Sequence, residues 1–141
     1  MIAYLDTSVV LRVILSQPET LPEWDDLVLG VSSRLLHLEC LRTIDRLWHL
    51  GELTEAELER KRLAVETLMT RLEGISTTDD ILRIASQPFP TIVDSLDAIH
   101  LATAMIFRGK QPEDEHPILF ATHDKQLARG ARAMNFDVLG A

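Results

Sequence analysis

The sequence has a single cysteine, few aromatic residues and fewer basic than acidic side chains. Cys40 is alone among 141 residues, which excludes an internal disulfide and a cysteine-rich zinc site. The 14 lysines and arginines are outnumbered by 22 aspartates and glutamates, and the formal net charge is -8. That balance opposes nonspecific attraction to phosphate backbones. Any nucleic-acid role must therefore depend on local basic patches or on metal ions.

Long uncharged apolar runs and a secretory signal are also missing from the sequence. We therefore expect no membrane span and a cytoplasmic location. The remaining composition, 46% hydrophobic and 26% charged, is ordinary for a globular protein. A chain of this length is expected to form one domain over residues 1–141 and can bury a sizeable core.

The first residues predict a buried strand that ends at a carboxylate. Residues 2–5 form a short apolar run, and Asp6 follows it directly. Thr7 or Ser8 is expected to cap a helix over residues 9–15. Such a strand suits the centre of a sheet covered on both faces, and ligands of these sheets bind beyond the carboxyl ends of the strands. Asp6 is therefore a candidate site residue, although an aspartate here also serves as an ordinary cap or turn residue.

Strands alternate with helices along the rest of the chain, which predicts a parallel sheet between layers of helices. Apolar runs and turn residues predict further strands at residues 27–31, 75–77, 118–121 and 136–139. The predicted helices are residues 33–50, 54–74, 79–85, 96–107 and 124–134, with a helical turn at 22–26 and a polar, mobile segment at 109–117. The fold class is therefore α/β.

Three further acids stand at positions that ordinary structural roles would also explain. Glu39 lies among apolar neighbours on the second long helix, where an ion pair with Arg42 is one interpretation. Asp97 falls in the first turn of a helix, where the helix dipole favours an acid without any further role. Asp124 follows a strand and precedes a helix in the same way.

The combination of these acids predicts a site, because strand ends and the helix starts that follow them meet at one edge of a parallel sheet. The expected members are Asp6, Glu39, Asp97 and Asp124. Carboxylates that converge without lysine or cysteine ligands suit a hard divalent cation such as Mg²⁺ or Mn²⁺. Such an ion can activate a bound water and neutralise charge on a phosphodiester. His100, one turn from Asp97, is expected to pack and hydrogen-bond rather than to react.

Four stretches of the sequence resemble the PIN-domain proteins, in particular the VapC toxins of VapBC toxin–antitoxin modules. They are Tyr4-Leu-Asp-Thr-Ser8, Leu38-Glu-Cys-Leu-Arg42, Leu96-Asp-Ala-Ile-His-Leu-Ala-Thr-Ala104, and Ala121-Thr-His-Asp124 with the following Leu127-Ala-Arg. The resemblance spans almost the whole chain. It implies a PIN-like three-layer α/β/α fold with a central parallel sheet of about four to five strands.

The same resemblance implies an activity and its partners. It points to an endoribonuclease that depends on Mg²⁺, for which Mn²⁺ may substitute, and that acts as a homodimer inhibited by a cognate antitoxin. The acidic positions of the family match the four acids named above, and its supporting hydroxyls match Thr7, Ser8 and Thr122. Arg12, Arg42 and Lys125 are the candidate RNA contacts, although a solvated helix face explains such residues equally well.

Two other functions remain open on the sequence. A catalytically inactive PIN-like module could bind RNA or protein, although retention of all four acids argues against it. An aspartyl-phosphate phosphotransfer protein also places an aspartate after a strand. A haloacid-dehalogenase-like enzyme would have another acid two residues after Asp6, where Ser8 stands. A receiver domain would have paired acids after the first strand and a lysine after the last, and neither is present.

Overall fold

The computed structural model describes residues 1–112 and 116–141. A five-stranded sheet runs through its centre in the order β3-β2-β1-β4-β5, and its paired strands are all parallel. The strands are β1 (Ile2–Leu5), β2 (Leu29–Ser33), β3 (Glu73–Ile75), β4 (Ile118–Ala121) and β5 (Val138–Leu139). The predicted α/β class with a parallel sheet is confirmed, and the opening strand occupies the predicted central position.

Helices connect successive strands and cover both faces of the sheet. They are α1 (Thr7–Ile14), α2 (Leu35–His49), α3 (Glu55–Met69), α4 (Asp79–Ala85), α5 (Ser95–Gly109) and α6 (Lys125–Ala133), with a short 3₁₀ helix at Trp24–Asp26. Within the described ranges, no helix is long and apolar enough to cross a membrane. Residues 113–115, in the middle of the predicted polar segment, lie outside the described residues.

Alternation along β1 divides the core between the two faces. Ala3 and Leu5 pack in one cluster with buried residues of α1 and α2, whereas Tyr4 packs in the other with residues of α5 and α6. Successive side chains of a strand point to opposite faces, so four residues are enough to anchor both layers. Because β1 is buried on both sides, the residue that follows it is held firmly in place.

Short sequence patterns predicted some helix starts correctly and others wrongly. The helix predicted over residues 54–74 begins with a capping box: Glu57 N–H donates to Thr54 Oγ1 and Thr54 N–H donates to Glu57 Oε1, both at 3.1 Å. The predicted cap of α1 was wrong, because Asp6 itself is the N-cap and the helix begins at Thr7. An acidic cap accepts the first free N–H groups as well as a hydroxyl does.

Strands β2 and β3 differ from prediction by a few residues. β2 reaches Ser33 rather than ending at residue 31, and β3 begins at Glu73 rather than at residue 75. The reason is the pairing of these strands, in which Val31 lies opposite Glu73 and Ser33 opposite Ile75. The spacing of apolar residues along a short strand does not predict which of its residues pair with the neighbouring strand.

The packing of β2 makes Gly30 sensitive to substitution. A Cβ atom there would lie 2.7 Å from Leu72 Cδ2 and 3.0 Å from Leu5 Cδ1. We expect Gly30→Val to lower the free energy of unfolding by about 1–3 kcal/mol, because the added methyl groups overpack the core. Gly109→Ala is the control, since no described residue beyond its chain neighbours and its own helix backbone lies within 4 Å of the added Cβ. Urea denaturation of both variants measures the difference, and equal stability of the two would contradict this account of β2.

Candidate active site

Asp6 is held at the end of β1 through only one of its carboxylate oxygens. Its Oδ2 accepts hydrogen bonds from Ser8 Oγ at 2.7 Å and from Thr122 Oγ1 at 2.9 Å. Within the described part of the chain Oδ1 accepts no hydrogen bond, and it lies 3.9 Å from His100 Nε2. The Asp6 side chain is only 7% exposed. A nearly buried carboxylate with one uncompensated oxygen favours a positive charge beside it.

Glu39 extends from α2 to the same region and is held by buried groups. Its Oε1 accepts a hydrogen bond from Thr7 Oγ1 at 2.8 Å and lies 2.6 Å from His100 Nε2. The Glu39 side chain is 23% exposed, whereas His100 is fully buried. Because the same nitrogen of His100 also lies near Asp6, one imidazole contacts Glu39 and neighbours Asp6.

Asp97 is half-buried in the first turn of α5. Burial raises its pKa to about 6, and the charges of Asp6 and Asp124 add to the increase. His100 acts in the opposite direction. The three aspartates are therefore close enough for each charge to disfavour ionisation of Asp97.

Asp124 combines a structural role with a place beside this cluster. It is the N-cap of α6, where its Oδ1 accepts from the N–H groups of Gln126 at 2.8 Å and Leu127 at 3.0 Å. Its own N–H donates to Thr122 Oγ1 at 3.0 Å, and the same hydroxyl donates to Asp6. The helix predicted from residue 124 thus begins one residue later, and one threonine links two of the acids.

The chemistry of the cluster fits a hard divalent cation. Its carboxylates supply oxygen ligands only, which Mg²⁺ and Mn²⁺ prefer. A cation would compensate both the free oxygen of Asp6 and the repulsion that raises the pKa of Asp97. Within residues 1–112 and 116–141, however, no three Asp, Glu, His or Cys side chains form a ready-made metal-binding group. Burial, with the charges of Glu39 and Asp6, raises the pKa of the Cys40 thiol to about 12, so Cys40 supplies no thiolate.

Two of the three candidate RNA contacts lie near Asp124. Arg12 lines a groove of about 370 Å³ together with Ser8 and Asp124. Its guanidinium also donates to the carbonyl oxygen of Glu19 at 3.0 Å. Lys125 is exposed and follows Asp124 at the start of α6. Both cations therefore lie near Asp124, and Arg12 also pairs with the Glu19 carboxylate at 3.8 Å.

Arg42 does not contact Glu39 as the ion-pair interpretation of the sequence required. It pairs instead with Asp45 on α2 at 2.9 Å, with 69% of its own side chain exposed. Hydrogen bonds from Thr7 and contact with His100 occupy the Glu39 oxygen. The surface interpretation of Glu39 is therefore wrong.

Tyr4 is a further residue of the site that was not predicted from the sequence. Its hydroxyl lies 2.6 Å from His100 Nδ1, and both side chains are 0% exposed. The expectation that His100 packs and hydrogen-bonds is confirmed, but its contact with Glu39 was not predicted. The available signal was a polar group inside an otherwise apolar central strand, because a buried hydroxyl requires a partner.

The raised pKa of Asp97 predicts a pH-dependent gain in stability for Asp97→Asn. In the metal-free protein above about pH 6, the ionised carboxyl destabilises the folded state relative to the unfolded state, where the ordinary pKa is 3.8. Below about pH 4 the group is protonated in both states and the penalty disappears. Asp97→Asn should therefore unfold at a higher temperature than wild type at about pH 8 in chelator, with no such gain at about pH 4.

Scanning calorimetry at the two pH values measures this difference. Asp45→Asn is the matched control, because Asp45 is paired with Arg42 and lies outside the cluster. We expect that variant to show no stabilisation at either pH. An Asp97→Asn protein less stable than wild type at the higher pH would contradict the proposed repulsion.

The chain is similar to known proteins in sequence and in fold. Ribonuclease VapC47 from Mycobacterium tuberculosis (strain CDC 1551 / Oshkosh) is 29% identical over 140 residues, which cover 94% of this chain and 92% of that protein. VapBC2 from Rickettsia felis, crystallised with a DNA fragment from its promoter, has a TM-score of 0.67 at 14% identity, over 98% of this chain and 97% of that one. FitAcB from Neisseria gonorrhoeae has a TM-score of 0.66 at 18% identity, over 97% and 96%.

These two solved structures have the same fold as this chain, and at 14% and 18% identity they show the fold alone. The PIN domain family model matches residues 3–133. That range contains β1 from Ala3 onward, the acids at positions 6, 39, 97 and 124, and strands β2, β3 and β4. The chain therefore belongs to the PIN domain family.

Proposed function

We propose that this protein is an Mg²⁺- or Mn²⁺-dependent endoribonuclease, the toxin of a type II toxin–antitoxin system, which hydrolyses RNA phosphodiester bonds in the cytoplasm with a metal-activated water. The observation that carries the proposal is the acidic cluster at the carboxyl edge of the sheet. In it, Asp6 keeps one oxygen free, and the pKa of Asp97 is raised partly by neighbouring charges. Membership of the PIN domain family and similarity to Ribonuclease VapC47 support the same activity.

The four acids have different tasks in this proposal. Asp6 and Asp97 would hold the cation, and Glu39 would hold it directly or through water. Asp124, whose Oδ1 already caps α6, completes the cluster or binds a second ion with its other oxygen. When bound, the ion would lower the pKa of a coordinated water and offset the charge of the phosphodiester.

The remaining residues fix the acids and attract the substrate. The hydroxyls of Ser8 and Thr122 orient Asp6, and that of Thr7 orients Glu39. With a net charge of -8, the protein needs local cations to bind RNA. Arg12 and Lys125 are the favoured contacts because they lie near Asp124. Arg12 also pairs with the exposed Glu19, and RNA would compete with that contact.

Cleavage of RNA by the purified protein tests this activity. Asp6→Asn and Asp97→Asn should each lose roughly 100-fold or more in rate with added Mn²⁺, because charge stabilisation by the ion contributes several kcal/mol. Chelator should stop the wild-type reaction. Glu66→Gln is the matched control, since Glu66 pairs with His37 on the exposed side of α2 and α3.

Full activity in both aspartate variants, or cleavage that chelator leaves unchanged, would refute the mechanism. A folded wild type that cuts no RNA with either metal would favour the binding-only alternative. Mapping RNA ends in cells after induction, beside Asp6→Asn, would identify the RNA and the position of the cut.

We further propose that a small antitoxin binds and inhibits the protein, which itself forms a homodimer. A groove of about 620 Å³ between α1 and α3 supports this partner. Its lining includes apolar Val13, Leu63, Ala64 and Leu68 beside basic Arg60, Lys61 and Arg71. Leu63 is 67% exposed there. An extended or helical segment could place hydrophobic side chains in such a groove.

The charge of the site suggests how the partner would inhibit. Guanidinium groups pair bidentately with carboxylates, so an arginine of the antitoxin could lie between Asp6 and Asp97 in place of the metal. Such an arginine would remove the cation and block the substrate at once. Solved structures that resemble this fold include a toxin–antitoxin complex from Klebsiella pneumoniae, with a TM-score of 0.63.

Co-expression with the product of the adjacent reading frame tests the partner. We expect a tight complex that does not cut RNA, weakened by Leu63→Asp but not by Leu50→Asp. Leu50 is 60% exposed and lies outside the groove, which makes it a matched control. If no neighbouring protein co-purifies or inhibits, the toxin assignment fails even if the nuclease survives. If Leu63→Asp instead separates a dimer into monomers, the groove is the contact between two copies.

A further inference from the structure

Buried hydrogen-bonding groups form a continuous chain from the sheet to Glu39. The Ser33 N–H at the end of β2 donates to Tyr4 Oη at 3.1 Å. Tyr4 Oη lies 2.6 Å from His100 Nδ1, and His100 Nε2 lies 2.6 Å from Glu39 Oε1. Tyr4 and His100 are both 0% exposed. Four separate elements, β1, β2, α2 and α5, therefore meet in one relay that water does not reach at its centre.

The partners of this relay determine where its protons lie. Tyr4 Oη accepts from the Ser33 N–H, which leaves the Tyr4 hydrogen free to be donated to His100 Nδ1. A carboxylate oxygen only accepts, so the hydrogen in the 2.6 Å contact between His100 Nε2 and Glu39 Oε1 lies on Nε2. His100 Nε2 then donates to Glu39 Oε1.

The donated hydrogen bonds fall on one oxygen of Glu39 only. Oε1 accepts from Thr7 Oγ1 as well as from His100 Nε2. In the described part of the chain, Oε2 has no hydrogen-bond partner. The carboxylate is therefore fixed by one oxygen, while its other oxygen stays available, as Oδ1 of Asp6 does.

We propose that His100, oriented by Tyr4, is a positioning residue that fixes Glu39 through Nε2–H and leaves Glu39 Oε2 available to the cation or its water. This inference rests on the proposed function. Hydrogen bonds from outer residues orient metal-binding carboxylates and commonly change metal affinity 10- to 100-fold. His100 does not act on the substrate itself, because both of its nitrogens are engaged and its side chain is fully buried.

Two measurements on the metal-free protein, made without RNA, test the relay. Nitrogen-15 NMR of the imidazoles should show the Nε2–H tautomer for His100, and Tyr4→Phe should weaken that preference. Calorimetric titration with Mn²⁺ should show affinity about 10- to 100-fold lower in His100→Ala. His100→Gln should recover much of the loss, because its carboxamide N–H can take the place of Nε2–H.

His37→Gln is the matched control, because His37 Nε2 lies 2.7 Å from Glu66 Oε1 in an exposed pair of the same kind. It should leave Mn²⁺ affinity unchanged. Thermal unfolding identifies any variant that does not fold, and if His100→Ala fails, Tyr4→Phe and His100→Gln still decide the result. The Nδ1–H tautomer in wild type, or unchanged Mn²⁺ affinity in folded His100→Ala and Tyr4→Phe, would overturn the proposal.

The two proposals fail in different ways. Loss of RNA cleavage in Asp6→Asn, together with unchanged Mn²⁺ affinity in the relay variants, would refute the relay alone. If the wild type shows the expected tautomer and the relay variants show the expected loss of Mn²⁺ affinity, but the wild type cuts no RNA, the nuclease proposal is refuted. The proposal that His100 positions Glu39 would then stand.

Discussion

The site depends on the cost of burying a carboxylate at the end of the central strand. Removal of Asp6 from water is unfavourable unless other donors replace the solvent, and Ser8 and Thr122 supply those donors on one side. Ser8 Oγ also accepts from the His123 N–H, so the same hydroxyl joins the start of α1 to the segment after β4. With one oxygen satisfied and one free, the side chain has a fixed orientation and an unbalanced charge beside Asp97.

The neighbouring acids tolerate this charge because most of them also stabilise the fold. Asp124 caps α6. Glu39 accepts hydrogen bonds from Thr7 and from His100 of the buried relay. Asp97 has no comparable compensation, and the combined effect of burial and neighbouring charge is seen in its raised pKa. The repulsion among the acids therefore acts mainly on Asp97, and a bound cation would relieve it. The other acids are held in place by their hydrogen bonds. Functional sites commonly carry such local instability.

The sequence could predict the sheet and the position of Asp6, because both follow from a short apolar run ended by an acid. It could also predict the Thr54 cap, whose partner is three residues away. It could not predict the partner of Glu39, since His100 lies 61 residues further along, nor the contact of His100 with Tyr4, which are 96 residues apart. Such pairs are set by the packing of whole elements, and local patterns contain no record of them.

The bond between Thr122 and Asp6 joins residues 116 apart in sequence, and this separation affects when the site can exist. Proteins are made from the amino terminus, and contacts between distant segments form only after both have emerged from the ribosome. Asp6 emerges 116 positions before Thr122, the residue of the segment after β4 whose hydroxyl orients it. A growing chain therefore carries the acids of a nuclease without their arrangement. The cluster is therefore assembled only once β4 has emerged and paired with β1.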